Sequence, residues 1–261
     1  MNYIGGKHRQ GKKITSVILQ VLESKHTYIE PFCGALGVAR HVARVHKGNI
    51  ILNDTNAPLI RMWEELYSNP HLLDAIPDVI TNAEYDATKQ GKAHHGTFLE
   101  AYVGVGMSFG GKWWGGYARE NRDSGEDNKL RSGRLKKAVK DKVGNILKNE
   151  HISFSSVEYA DMDYPISPCV IYCDPPYAGK TRGYMPSSFS TEVFWSWCRY
   201  QADLGNIVIV TEFNYPPDFS VIHSFGDTTV RHHATKGMIG SNNEVIVCHE
   251  SQRHLFAGTG D

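Results

Sequence analysis

Cysteine is scarce and poorly spaced for chemistry. The five residues, Cys33, Cys169, Cys173, Cys198 and Cys248, contain no Cys-x-x-Cys pair, and an odd count argues against a disulfide framework. A reducing cytosol suits them, with Cys169, Cys173 and Cys248 as small buried hydrophobes of strands. Net charge is also lacking: 28 Lys and Arg balance 28 Asp and Glu, so any polyanion must be met by local charge and not by the whole surface. No apolar run approaches the roughly 18 residues of a membrane span. Met1 to Lys13 has no apolar h-region, so no signal peptide is expected and a cytoplasmic, nucleoid-associated location is. There is no internal repeat, no low-complexity tract and no nuclease-like acidic triad. The adjacent pairs His94-His95 and His232-His233 are not spaced as ligands on one helical face, so no metal is expected. Nothing suggests an obligate interface, which favours a monomer.

What is present is an ordinary globular composition, 41% hydrophobic and 21% charged, and one uncommon tetrad. Asp174-Pro175-Pro176-Tyr177 follows the apolar run Cys169 to Cys173, which reads as a buried strand. The two prolines have no N–H and cannot continue a ladder, and they stiffen the turn. The result is a rigid shelf at a strand's carboxyl end, carrying one carboxylate, free backbone carbonyls and a flat ring. An amino group on a planar heterocycle fits it: carboxylate and carbonyl each accept one N–H, and the ring stacks. The plainer alternative is a strand-ending turn with an aromatic plug.

The order of elements places the shelf in a sheet. Helical spacing runs over 14–22, a short strand over 27–31, a helix over 37–45, a strand over 49–52 and a helix over 57–67 with Ile60, Trp63, Glu64 and Tyr67 on one face. This is the front half of a dinucleotide-binding type of α/β sheet. A helix interrupted by Pro77 is expected over 71–80, and a short one over 98–105. A basic amphipathic helix is expected over 129–148, with Leu135, Val139, Val143, Ile146 and Leu147 as its stripe and lysines, Lys142 among them, on the remainder. The sheet resumes with strands at 152–157, 169–173 and 206–211, a helix at 194–204, and a closing antiparallel pair at 228–232 and 244–248.

Four segments, in order, resemble the Dam-type (D12 class, alpha-group) N6-adenine-specific DNA methyltransferases: Tyr3-Ile4-Gly5-Gly6-Lys7, Tyr28-Ile29-Glu30-Pro31-Phe32-Cys33-Gly34, Leu52-Asn53-Asp54-Thr55-Asn56 and Asp174 to Tyr177. The resemblance covers the chain to about residue 67 and again from about 151, and leaves open whether the chain is phage or prophage encoded, a stand-alone regulator or part of a restriction–modification pair. It implies a Rossmann-like class I methyltransferase, a mixed and mostly parallel α/β sheet formed by 1–67 and 151–261. Residues 68–150 would then be an inserted, mainly helical target-recognition domain. One departure stands out. Where the family usually has Phe-x-Gly-x-Gly, this chain reads Phe32-Cys33-Gly34-Ala35-Leu36-Gly37, with the second glycine one position late.

The resemblance implies S-adenosylmethionine as cofactor, with Tyr3, Gly6, Lys7, Glu30, Pro31, Phe32, Gly34, Gly37, Asp54 and Asp174 around it. Asp54, about 20 residues past Gly34, suits the ribose hydroxyls, and Lys7 the cofactor's carboxylate. Asp174 and the carbonyl of Pro175 would accept the amine hydrogens, with Pro176 stiffening the turn and Tyr177 stacking on a base flipped out of double-stranded DNA. Lys112, Trp113, Trp114, Tyr117, Arg119, Arg122, Lys136, Lys137 and Lys140 are the DNA-contacting expectations. Against them stand a satellite core for the tryptophans and a solvated face for the helix. Open alternatives are an N4-cytosine DNA or RNA amine methyltransferase, and a non-catalytic DNA-binding module on the same fold.

Overall fold

The computed structural model describes residues 1, 3–118, 129–165, 168–176, 189–226, 230–231 and 238–256. Eight strands form one sheet: β1 Thr27–Glu30, β2 Ile50–Asn53, β3 Ile152–Ser155, β4 Cys169–Cys173, β5 Ile207–Tyr215, β6 Phe219–Ser224, β7 Val230–Arg231 and β8 Ile239–His249. Their order is β3-β2-β1-β4-β5-β8-β6, with β7 paired to β8. The first five run parallel; β8 runs antiparallel to both β5 and β6, between them. This is the mixed, mostly parallel α/β sheet that the sequence pattern predicts. The order reverses at β1, whose neighbours are β2 on one side and β4 on the other, and a crevice opens outside the carboxyl ends of strands at such a switch point.

The strands at the switch point are short apolar runs because both faces are covered. All four residues of β1 and all five of β4 are buried. Among the described residues seven α-helices accompany the sheet: α1 Gly11–Ile18, α2 Ala39–Val42, α3 Ala57–Ser68, α4 Asn82–Lys89, α5 Phe98–Gly106, α6 Lys129–Ile146 and α7 Thr191–Asp203. The α3 helix starts where the Asn56 side chain accepts the Leu59 N–H, with Pro58 in its first turn, and buries Leu59, Ile60, Met62, Trp63 and Leu66. Among the described residues no helix is long and apolar enough to cross a membrane.

Several sequence expectations shift. The first helix begins at Gly11, three residues early, and ends at Ile18. The expected helix at 71–80 is a single 3-10 stretch, Pro70–Ala75, and the polar stretch before α5 forms α4, capped by Thr81. Glu64 is exposed and does not share the buried face of α3. The β5 strand continues through Glu212 to Tyr215, with a register irregularity between Glu212 and Asn214, and β6 was not expected. The stripe of α6 is buried at Leu135, Val139, Val143 and Ile146, but Leu147 is exposed and Lys142 is fully buried. The described part of 68–150 has no core of its own. Ile76, Tyr85, Tyr102, Val105, Val139 and Val143 belong to one apolar cluster with Ile14, Tyr28, Leu36 and Trp63.

Candidate active site

The crevice at the switch point is an open cleft lined by Tyr3, Gly6, Lys7, Glu30, Phe32, Gly34, Gly37, Asp54, Asp174 and Pro176, among others. Four segments build it: the strap before α1, the turn after β1, the turn that ends β2 and the turn that ends β4. Pro31 and Pro175 are buried beside it and do not line it. Tyr177 lies outside the described residues.

The turn after β1 is the most constrained part. Gly34 has φ 45°, and a Cβ there would stand 2.9 Å from ring carbons of Tyr3. Gly37 approaches the backbone of Lys7 so closely that a Cβ would stand 3.1 Å from its nitrogen. Gly11 is equally confined, since a Cβ there would run into the carbonyl oxygen of Gly37. Glycine at these positions lets the strap lie flat on the turn. Leu36, at the place where the family usually has glycine, takes φ 57° with its side chain fully buried. A left-handed leucine costs about 1–3 kcal/mol, comparable to the gain of about 1.5–3 kcal/mol from burying it. The neighbouring carbonyls are held from outside the turn. Trp63 Nε1 donates to the Gly34 oxygen at 3.0 Å, and Lys142 Nζ donates to the Ala35 oxygen.

Asp54, at the end of β2, accepts the Gly34 N–H on Oδ2 and the Asn56 N–H on Oδ1, both at 3.0 Å. Burial pushes its carboxyl up, against those two hydrogen bonds. Each oxygen has a further lone pair for a hydroxyl.

Among the described residues, several acids and Lys7 form a buried charge cluster at the β4 end. Lys7 Nζ lies 2.6 Å from Asp174 Oδ1 and 3.1 Å from Glu244 Oε1, and also donates to the Gly5 oxygen. Burial alone would push the Lys7 ammonium down, but Asp174 and Glu244 hold it above its ordinary value. Glu212 on β5 is pushed up to about 8 by burial and by the charge of Asp174. Glu30 is raised well above the carboxylate range by burial, opposed by the hydroxyl of Tyr28, which donates to it at 3.0 Å. The sequence expectation for Lys7 was a cofactor carboxylate; the structure sets its ammonium between two protein carboxylates. Glu212 and Glu244 were given no role in the sequence. The signal for Glu212 was an acid ending an apolar strand, the same signal that marks Asp174.

The expected DNA contacts separate into two groups. Lys112 and Trp113 are exposed. Trp114 packs on Tyr85 at 5.3 Å between ring centroids, and Tyr117 packs on Tyr85 while donating its hydroxyl to the Ile80 oxygen, so these two serve the core. On α6, Lys136 pairs with Asp78 at 2.8 Å and Lys140 with Asp74 at 3.5 Å, while Lys137 is exposed. Arg119 and Arg122 lie outside the described residues.

The family model of the D12 class N6 adenine-specific DNA methyltransferases matches residues 3–135 of the chain. The match begins at the strap, takes in the turns after β1 and β2, and crosses most of 68–150, where the sequence elements alone gave no resemblance. It ends before Asp174. No curated protein matches the chain.

Proposed function

The chain belongs to the D12 class N6 adenine-specific DNA methyltransferases, enzymes that methylate the N6 amino group of adenine in DNA, and from that premise we propose that the cleft between β1 and β4 holds S-adenosylmethionine beside an adenine docked on Asp174. The observation that carries this reading is the juxtaposition of Asp54, the glycine turn and Asp174 around one cleft. The donor and acceptor set fits the group. Asp54 keeps a lone pair on each oxygen for the ribose hydroxyls, the turn brings backbone to the cleft wall, and the acids around Lys7 suit a cationic centre. S-adenosylmethionine supplies an electrophilic methyl group when bound.

The protein's part is to bind, orient and accept. The N6 lone pair is delocalised into the purine ring, so the amine is a weak nucleophile. Asp174 and the Pro175 carbonyl accept its two N–H groups, which favours a tetrahedral nitrogen and offsets the positive charge that grows on it. On transfer N6 would gain the methyl group as the donor's S–C bond breaks and leaves a neutral thioether, and Asp174 would take up the N–H proton that N6 gives up. Lys7 and Glu244 hold the Asp174 carboxylate in register for this, and Pro175 and Pro176 stiffen its turn. Tyr177 stacks on the flipped base. Residues 68–150 act as the target-recognition segment: Lys112, Trp113, Arg119, Arg122, Lys136, Lys137 and Lys140 meet phosphate and base edges, with Trp114 and Tyr117 fixing their platform.

The test is incubation of the purified protein with S-adenosylmethionine and duplex DNA, followed by nucleoside mass spectrometry. N6-methyladenine is expected. Methylated cytosine, or no modified base on any DNA, would overturn the assignment of the cleft.

A further inference from the structure

The α6 helix carries a lysine that its surface pattern does not explain. Lys142 is 1% exposed, forms no ion pair among the described residues, and lies 5.9 Å over the ring of Trp63. Its ammonium donates to the Ala35 carbonyl, with the Met1 oxygen at 3.5 Å. The nearest acid, Asp141, is engaged by Arg40 at 2.9 Å. Burying an ammonium against carbonyls alone is unfavourable, and such a group is retained where it does something specific. What it grips is the middle of the turn Cys33 to Gly37, next to Leu36, the residue whose left-handed backbone needs to be held. Trp63 grips the preceding carbonyl from α3. Two donors from two helices thus fix consecutive carbonyls of the turn that lines the cleft.

We propose that Lys142 is a positioning residue for the cofactor: its ammonium fixes the Ala35 carbonyl and thereby holds the glycine turn in the shape that accepts the nucleoside. It acts from the recognition segment, so one side chain joins the DNA-facing helix to the cofactor wall. This rests on the reading of the cleft as the S-adenosylmethionine site.

The experiment is steady-state methylation and calorimetric binding of S-adenosylhomocysteine with wild-type protein, Lys142→Met and Lys142→Arg. Methionine keeps the stem and removes the donor; arginine restores a charged donor and has room in the cavity that Lys142 shares with His8 and Gly110. Loss of one charge-assisted hydrogen bond to the turn is expected to raise KM for the cofactor about tenfold with kcat within about twofold, and arginine to recover most of it. An unchanged KM in Lys142→Met, or a fall in melting temperature with no KM change, would overturn the proposal. Should the methionine variant not accumulate as folded protein, Lys142→Gln takes its place and is judged by the same split. Failure of wild-type protein to bind S-adenosylhomocysteine would instead reject the cofactor reading itself.

Discussion

Two buried lysines stand on opposite sides of the glycine turn, and the chain treats them in opposite ways. On the strap side, Lys7 sits between Asp174 and Glu244, and those carboxylates hold its ammonium above the ordinary value. On the helix side, Lys142 meets carbonyls and the face of Trp63, with no ion pair among the described residues. Burial first, and the charge of Arg40 second, push it down to about 7, with Asp141 pulling the other way. The contrast separates two uses of a buried cation. The first neutralises acids at the β4 end of the cleft. The second holds backbone and gains no ion pair for its desolvation. The first is expected to matter for charge balance and chemistry, the second for shape.

The largest break in that contrast is Asp174→Ala. It removes both the amine acceptor and the first partner of Lys7, so transfer should fall by at least about a thousandfold while circular dichroism shows an intact fold. Methyl incorporation near the wild-type rate would dismiss Asp174 from the chemistry.

Next is Lys7→Met, which removes the ammonium that pairs with Asp174 and Glu244. Removing one partner of a buried pair costs about 3–5 kcal/mol, to be read from urea unfolding at pH 7. Lys142→Met should be close to neutral under the same conditions, because the lost hydrogen bond is offset by the end of the ammonium's desolvation. Equal losses in the two variants would erase the distinction.

The pH dependence sharpens it further. Lys142 is lowered from 10.5 to about 7, so between those values the unfolded chain binds more protons and stability rises with pH. Lys7 is raised, so its contribution is complete below 10.5 and is lost as pH passes its folded value. Glu212, raised from 4.5 to about 8, opposes the first trend, since its contribution is present below 4.5 and lost as pH rises toward 8. Above pH 9 the buried thiols of Cys169 and Cys248, raised by burial to about 11 and about 12, pull stability down, so the Lys142 contribution is read as a difference: from pH 8.5 to 10 the stability of wild-type protein relative to Lys142→Met should rise. A difference that stays level would assign the titration elsewhere.

The smallest effect concerns the other lysines of α6. Converting Lys136, Lys137 and Lys140 to glutamine should weaken duplex binding and lower the slope of log affinity against log salt by about 1–2, not by a full unit for each. Lys136 and Lys140 already spend part of their charge on Asp78 and Asp74. An unchanged slope would move the phosphate contacts off this helix.

Much of this was legible from the chain and some was not, for identifiable reasons. The parallel strands at the switch point are read easily because burial on both faces leaves short apolar runs, and the site residues at their ends are local in sequence: Glu30 to Gly37, Asn53-Asp54, Cys173 to Pro176. Lys142 was placed on the solvent side because stripe counting follows apolar residues, and a lysine between Asp141 and Val143 is invisible to it. The bond it makes is to a turn 107 residues earlier. Glu244 was read only as part of a strand, since its value lies in where β8 inserts, which depends on pairing with β5 and β6. Leu36 was visible as a departure, but the two carbonyl clamps that accompany it come from helices far along the chain. The expected bounds of 68–150 come from where the resemblance stops in the sequence; which apolar residues of that stretch pack with the helices of the sheet is a long-range matter that no local pattern carries.

The place of β8 has a consequence during synthesis. β5 and β6 follow one another in the chain yet do not pair, because a slot between them is kept for a strand that emerges later. Until residues 239–249 have left the ribosome, the nascent sheet ends at β5, with Val208, Ile209 and Val210 along an unpaired edge of the kind that recruits other strands. Lys7 precedes Glu244 by 237 positions and waits for it, so the acid cluster of the cleft gains this pairing only when β8 docks. A fragment truncated at 238 would hold almost every residue of the cleft and still be a poor enzyme and an aggregating one.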